Sequence, residues 1–294
     1  MNEFAIDDLT IITGGQQPTG IKIKQPAQGF ESPDYRLNQF SNPGRHGGTT
    51  SSSLYDFRRI QLEGSIKGNT YEEYYALRRQ LLSAVSIQHD DNLNPVPHRV
   101  TFTTLDGQAY YADVHFNKPL MAIQHPMYSE FMITGTIDTG LIFGQAIISS
   151  GNISRPTGGG FESPFISPFI SEASTGGTVT ITNSGDEMAW PTVDNDGNGG
   201  IILTGSLTNP VLTNLTTGRK LELDYTLQSG DFIQIDMLKQ LVLLNGSSTL
   251  ISTKTSTSDW WGIAPGPNSI SLSTTAGTDG GYASISFNPA YQGV

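Results

Sequence analysis

The chain has 294 residues, of which only 15% are charged, and it carries a net charge of −11 and no cysteine. Disulfides, cysteine-based zinc sites and thiol nucleophiles all require cysteine, so the composition excludes them. The excess of carboxylates repels phosphate, so sequence-specific binding to nucleic acid is not expected. The 33 glycines and the scarcity of charged residues favour many short strands joined by turns over helical bundles.

The first 144 residues are predicted to form an α+β domain. Thr70 is followed three residues later by Glu73, which is the spacing of a capping box at a helix start. An apolar stripe then recurs at three- and four-residue steps and predicts a helix to about Ile87, with Arg78 and Arg79 off the stripe. The stripe consists of Tyr74, Leu77, Leu81 and Val85, with Leu82 beside it. Alternating β-branched and aromatic residues predict strands at Asp8–Thr13, Gly20–Gln25, Ile60–Lys67, Arg99–Leu105, Ala109–Asn117 and Tyr128–Phe143.

A long segment without periodicity, Pro26–Phe57, interrupts these elements. Connections longer than about 15 residues are uncommon inside a compact domain unless they have a function or are disordered. We interpret the segment as an extended arm, in the form of a long hairpin, that becomes ordered against a neighbouring subunit. The alternative is a flexible loop. The candidate interface residues are aromatic and basic residues of this segment together with two arginines of the predicted helix. They are Tyr35, Arg36, Phe40, Arg45, His46, Arg78 and Arg79.

The second half predicts a separate β-domain. A junction rich in Gly, Ser and Pro spans Gln145–Gly177, which gives domains at 1–144 and 178–294. Turn residues then recur every eight to twelve positions, as in a β-sandwich or jelly roll. The predicted strands are Thr178–Thr182, Ile201–Leu207, Val211–Asn214, Lys220–Thr226, Phe232–Asp236, Leu241–Leu244, Ser269–Ser273 and Tyr282–Phe287.

The sequence nominates no catalytic residue, cofactor site or metal site. It contains no His-Glu-x-x-His, no Gly-x-Ser-x-Gly elbow and no phosphate-binding glycine loop. The adjacent carboxylates Glu72–Glu73 and Asp90–Asp91 fit helix capping and solvation better than the two-sided cleft of a glycosidase. Asp194–Gly199 imitates half of a calcium loop, but the twelfth position is Gly205 where a bidentate Glu is required.

Two neighbouring tryptophans raise the possibility of sugar binding. Trp260 and Trp261 offer aromatic faces on which a sugar ring can stack, so a carbohydrate-binding module is kept as an alternative. The opposing interpretation is that one of them fills the core and the other covers a loop. The acidic start, Met1–Asp8, lacks a basic region and an apolar core, so no signal peptide is expected. No apolar run approaches about 20 residues, so no membrane insertion is expected.

An ordered series of turn motifs carries a family resemblance. The series runs Asn209–Pro210, Asn214–Gly218, Gly230–Asp231, Asn245–Gly246 and Trp261–Asn268. In this order it resembles the C-terminal domain of the distal tail proteins of siphoviruses. The N-terminal half resembles the same family less sharply, through the strand Arg58–Gly68, the helix centre Tyr74–Leu82 and the glycine-rich segment Pro43–Gly48.

The resemblance implies a structural virion protein. Its fold would be mainly β, with a tail-tube-like N-terminal barrel or sheet with one helix and a galectin-like or jelly-roll C-terminal β-sandwich. The family forms a homo-hexameric ring that joins the tail tube to the tail tip or baseplate. The implied partners are the tail tube protein, the tape-measure protein and the tail-tip hub or fibre proteins. The implied location is the tail tip, after synthesis in the host cytoplasm. The alternative is a lectin-like module that contributes to attachment to the host surface.

Overall fold

The computed structural model describes residues 3–13, 19–24, 27–155, 160–161, 171–172, 177–194, 199–275 and 280–294. The chain divides into two compact units, residues 1–145 with 290–294 and residues 146–289. Both units are built mainly from strands, and the described residues contain one α-helix. The predicted fold class, mainly β with one helix in the first domain, is therefore confirmed.

The first unit contains thirteen strands before its chain passes to the second unit, together with the helix α1 at Tyr71–Ala84. The strands are β1 (Glu3–Ile6), β2 (Leu9–Thr13), β3 (Gly20–Ile23), β4 (Tyr35–Ser41), β5 (Gly48–Tyr55), β6 (Arg58–Lys67), β7 (Gln88–His89), β8 (Pro95–Val96), β9 (His98–Thr103), β10 (Ala109–Phe116), β11 (Leu120–His125), β12 (Tyr128–Ile137) and β13 (Ile142–Gly144).

Seven of these strands close on themselves as a barrel. The pairing runs β12–β6–β3–β2–β1–β9–β10, and β10 pairs back onto β12 through His115–Thr136 and Phe116–Gly135. Only β2 and β3 pair in parallel. Along β6 every second residue is buried, so Ile60, Leu62 and Ile66 fill the interior while their neighbours face outward. Closure pairs the two end strands of this set with each other, and β11 and the later strand β29 (Ala290–Tyr291) remain as the edge strands of the sheet.

The helix covers one side of the barrel. The Thr70 hydroxyl accepts a hydrogen bond from the Glu73 amide at 3.2 Å, and the Glu73 carboxylate accepts one from the Asn69 amide at 2.7 Å. The predicted capping interaction is therefore present. In a standard capping box the N-cap residue itself donates its amide to the Glu side chain, whereas here the amide of the residue before the N-cap donates. Tyr74 and Leu81 of the predicted stripe are buried, but Leu82 is exposed and lies on the outer face.

The second unit contains fifteen strands and a 3₁₀ turn at Ile251–Thr253. The strands are β14 (Ile148–Ser149), β15 (Ile153–Ser154), β16 (Gly160–Phe161), β17 (Ser171–Glu172), β18 (Thr178–Asn183), β19 (Gly200–Thr204), β20 (Leu207–Thr208), β21 (Val211–Asn214), β22 (Arg219–Glu222), β23 (Thr226–Leu227), β24 (Phe232–Asp236), β25 (Leu241–Leu244), β26 (Ser248–Thr249), β27 (Gly266–Ser273) and β28 (Tyr282–Phe287). A last strand, β29 (Ala290–Tyr291), pairs with β13 and belongs to the first unit.

Two larger sheets and two short strand pairs make up the described part of the second unit. One sheet has the order β14–β28–β19–β24–β25–β26 with β15 also on β28, and the other has the order β18–β27–β21–β22. Each sheet buries one face: Ile201, Ile233 and Ile285 are buried in the first, and Leu212 and Ile270 in the second. This is the alternation expected of a β-sandwich.

Four predicted elements differ from the structure. The predicted strand Lys220–Thr226 is two short strands, β22 and β23, which pair with β21 and β20 respectively. The predicted strand Tyr128–Phe143 is two strands, because Gly140 adopts φ +68° in a turn whose N–H donates to the Ile137 carbonyl at 3.2 Å. Ile201–Leu207 is broken at Gly205, which also has a positive φ. Residues 148–149 and 153–154, assigned to the junction from sequence, form strands of the second unit. Much of the remaining junction, and residues 195–198 of the calcium-like loop, lie outside the described residues.

Candidate assembly interface

The predicted arm contains a two-stranded hairpin formed by β4 and β5. The strands pair from Tyr35–Tyr55 to Ser41–Gly48, with a register shift at Asn38/Gln39. The hairpin joins no other sheet among the described residues. We call residues 35–55 the arm hairpin. The structure thus gives the arm the hairpin form predicted for it.

The base of the arm hairpin is held firmly to the first unit. The Asp56 amide donates to the Asp34 carbonyl at 2.8 Å, which closes the hairpin at its root. The buried Arg58 side chain donates to the carbonyls of Phe30 and Gln292. Phe30 is itself buried against Phe102, with ring centroids 4.8 Å apart. The arm therefore projects from a fixed point.

The hairpin beyond its base exposes large apolar side chains on both faces. Alternation along the register places Tyr35, Leu37 and Tyr55 on one face, which we call the tyrosine face. Phe40 and Leu54 share the opposite face, which we call the phenylalanine face. Four of these side chains, Tyr35, Leu37, Phe40 and Leu54, are between 50% and 57% exposed. Exposed apolar surface concentrated in this way is typical of an interface.

The arm hairpin is basic although the chain as a whole is acidic. Arg36, Arg45 and His46 are exposed, and no Asp or Glu occurs between Tyr35 and Tyr55. The tip turns through Gly44 and Gly47, both with positive φ, and the Asn42 amide donates to the Gly47 carbonyl at 3.2 Å. The arm thus combines apolar faces with positive charge, which favours an acidic partner surface.

The outer face of α1 supplies a second apolar surface in the same unit. Tyr71, Tyr75 and Leu82 are exposed and follow one another at helical spacing, along a line beside the stripe that packs on the barrel. Arg79 is exposed and Arg78 is partly buried between Tyr75 and Leu82 along this face. Sequence analysis identified the two arginines but missed the tyrosines, although their four-residue spacing was the available signal.

The tryptophan motif of the second unit is structural. Trp261 is 0% exposed, so no sugar can stack on its ring in this conformation. Trp260 is partly exposed, and the Lys254 ammonium lies 5.6 Å from its ring centroid. Asn268 is buried, and its side chain bonds to the backbone of Ala264 at 3.1 and 2.7 Å. These residues fold the last turn of the domain.

Another buried asparagine explains a second motif. The Asn214 side-chain oxygen accepts hydrogen bonds from the amides of Thr216 at 3.1 Å and Thr217 at 3.2 Å. An asparagine whose side-chain oxygen accepts hydrogen bonds from the amides of its own turn specifies that turn locally. The oxygen serves as the acceptor for backbone amides that no longer have a partner in the strand. The turn motifs therefore have a physical basis in folding.

The carboxylate pair Asp90–Asp91 is explained by local loop structure. The Asn94 side chain donates to Asp90, and this bond together with those from the Asn94 and Asn92 amides lowers the pKa of the Asp90 carboxyl. Across the described ranges, no group of His, Asp and Glu side chains is arranged to hold a metal ion. The single helix of those ranges is too short and too polar to cross a membrane.

Two family models match this chain. The model described as "Siphovirus-type tail component, C-terminal domain" matches residues 184–291, and the model described as "Phage tail protein RIFT-related domain" matches residues 15–106. The chain belongs to the siphovirus-type distal tail proteins. It is therefore a structural component of a phage tail and of the virion, as the turn motifs indicated. No curated protein sequence matches it.

Solved structures share the fold of this distal tail protein. The crystal structure of the Dit protein of phage SPP1 matches with a TM-score of 0.66 at 12% identity, over 98% of each chain. A chain of the phage P2 baseplate in its calcium-activated conformation matches with a TM-score of 0.50 at 12% identity, over 92% of this chain and 91% of that one. At such low identity the likeness establishes the fold.

Proposed function

We propose that this distal tail protein closes into a homo-hexameric ring in which the arm hairpin of each copy packs on the next copy. The ring connects the tail tube to the tail-tip hub or fibre proteins and has the tape-measure protein as a further partner. Its role is structural and includes no catalytic step. The subunits are made in the host cytoplasm and function at the tail tip.

The observation that carries this proposal is the exposed arm hairpin on its fixed base. An isolated two-stranded hairpin is at best marginally stable in water, and apolar side chains on both of its faces increase the cost of leaving it uncovered. A neighbouring copy can cover it without any additional protein. Contacts between unlike surfaces of identical subunits form a ring when the rotation between subunits closes.

The similar structures support this role. The SPP1 protein is described as a paradigm of the hub of the adsorption apparatus in phages that infect Gram-positive hosts, and the P2 structure is a baseplate. A hub built from this chain would need a subunit contact such as the arm hairpin and the outer face of α1 offer.

Removal of the arm hairpin tests the proposal directly. Asp34 and Asp56 are already joined by a backbone hydrogen bond of 2.8 Å, so residues 35–55 can be replaced by an Asn-Gly turn without stretching the barrel. We expect a folded monomer by light scattering, whereas the intact chain gives the mass of six copies and a six-lobed ring in negative-stain images. A truncated protein that keeps the full oligomeric mass would contradict the role of the arm.

A further inference from the structure

Residues 290–294 belong to the first unit although they follow the second unit in sequence. The whole of the second unit, residues 146–289, is therefore inserted between β13 and β29. β29 pairs antiparallel with β13. Ala290 is fully buried, and the ring of Tyr291 meets that of Tyr110 edge-on, with centroids 5.3 Å apart. β29 is thus an integral strand of the first unit.

The residues that follow β29 contact the root of the arm hairpin on both of its sides. We call residues 292–294 the clasp. Ahead of the hairpin, the Phe30 carbonyl accepts a hydrogen bond of 3.2 Å from the Val294 amide. Behind the hairpin, the Tyr55 hydroxyl accepts one from the Gln292 side-chain amide. The clasp therefore connects the two ends of the hairpin to each other.

A buried cation strengthens this connection. The Arg58 guanidinium donates to the backbone carbonyls of Phe30 and Gln292, and the residue is only 1% exposed. A buried charged donor that loses an acceptor is not compensated by water, so the Gln292 carbonyl matters more here than at an exposed site. Arg58 is also the first residue of β6, so the clasp acts where the hairpin joins the barrel.

Gly293 allows the clasp to pass close to the chain ahead of the hairpin. A Cβ at this position would lie 1.7 Å from the Glu31 carbonyl oxygen and 3.2 Å from the Phe30 carbonyl oxygen. Both atoms belong to the backbone, so no change of rotamer could relieve the overlap. Any side chain at position 293 would therefore displace the clasp from the root of the hairpin.

The clasp and the arm hairpin are far apart in sequence. Tyr55 and Gln292 are separated by 237 residues. At a synthesis rate of about 5–20 residues per second, the clasp follows the hairpin by on the order of 10–50 s. During this interval the root of the hairpin lacks the contacts of the clasp. An arm whose root is not fixed loses more conformational entropy when it packs on a partner, so its contact is weaker.

We propose that the clasp makes the arm hairpin competent for the subunit contact only after the second unit has been made. This inference rests on the proposed ring and adds a condition for entry into it. A chain whose synthesis stops within the second unit has the arm hairpin but lacks the clasp. Such a chain enters the ring poorly, so the subunit contact selects chains that carry both units.

Gly293→Ala displaces the clasp with a single methyl group and tests the proposal. The Asp56 amide reports on the root, which it closes by donating to the Asp34 carbonyl. We expect hydrogen–deuterium exchange at this amide, measured by mass spectrometry, to become about tenfold faster or more. Amides of β9 and β12 should keep their protection. Unchanged exchange at Asp56, or a rise spread evenly over the barrel, would overturn the clasp.

A chain that ends at Tyr291 provides a second test. It keeps β29 and removes the clasp without a steric overlap, so it decides the question even where Gly293→Ala fails to fold. It should show the same local rise in exchange at Asp56. The matched control is Gly280→Ala, because a Cβ at position 280 meets no atom within 4 Å. The control should exchange as the wild type does.

Light scattering separates the clasp from the ring. Both clasp variants should need about tenfold more protein than the wild type to reach the same oligomeric mass, whereas Gly280→Ala should match the wild type. A loosened root with unchanged assembly would refute the link between clasp and ring. A wild-type chain that stays monomeric would overturn the proposed ring and its condition for entry, while exchange at Asp56 would still show whether the clasp holds the root.

Discussion

The double substitution Phe40→Ser with Leu54→Ser should convert the proposed ring into monomers. Both side chains lie on the phenylalanine face of the arm hairpin, one on each strand. Neither contributes to the core of the first unit, because they are 57% and 53% exposed. The substitutions therefore remove apolar surface that only a neighbouring copy can bury.

The magnitude follows from that exposure. Complete burial of a Leu or Phe side chain contributes about 1.5–3 kcal/mol, and roughly half of each side chain is still available for burial in a contact. The pair should therefore contribute about 1.5–3 kcal/mol to each subunit contact, which corresponds to a roughly 10- to 140-fold weaker contact in the variant. Every copy in a closed ring makes two such contacts, so the loss acts twice on each subunit.

Light scattering coupled to size-exclusion chromatography, at micromolar protein concentration, measures the oligomeric mass. Thermal unfolding of the monomer then tests whether the fold is retained. The control is Asn38→Ala with Ser52→Ala, which alters the same strands and the same face at polar positions. It should leave the oligomer intact. An intact oligomer in the serine variant, at unchanged thermal stability, would refute the argument that the phenylalanine face is covered by a neighbour.

Three further substitutions test the internal structure. Asp7→Asn should cost about 1.5–3 kcal/mol in urea unfolding, because the carboxylate contacts buried His98 at 2.7 Å and an asparagine keeps only one acceptor oxygen. Gly64→Ala should lower the free energy of unfolding by about 1–3 kcal/mol, since its Cβ would lie 2.3 Å from the Phe131 ring; calorimetry measures the loss. Trp261→Ala should destabilise the second unit by about 3–5 kcal/mol, with the loss confined to that unit's transition in differential scanning calorimetry. A larger loss of stability in Trp260→Ala than in Trp261→Ala would contradict the burial of Trp261.

Secondary-structure elements that short local sequence patterns specify could be predicted from the sequence. Thr70 and Glu73 give the helix start because capping depends on residues three apart. The hairpin in the arm was predicted from a segment whose length and aromatic content do not suit a passive loop. Helix and hairpin are both short-range structures, so one stretch of sequence contains most of the information that defines them.

Long-range pairings were not predictable in the same way. β1 and β29 were missed because each is short and gains its stability from a partner far along the chain, β9 and β13 respectively. Barrel closure through the His115–Thr136 pair depends on the register of β10 against β12. The outward-facing residues of these strands are similar in sequence, so local sequence does not specify that register.

The two faces of the arm hairpin limit how a neighbour can cover it. A hairpin that lay flat on one surface would need apolar side chains on one face only, as in a sheet with one solvated side. Here Tyr35 and Leu37 lie on the tyrosine face, while Phe40 and Leu54 lie on the phenylalanine face. Covering both requires the hairpin to be held between two surfaces. Serine substitutions at Leu37 and at Phe40 should therefore each weaken the oligomer, whereas a hairpin docked on one side only would respond to one of them.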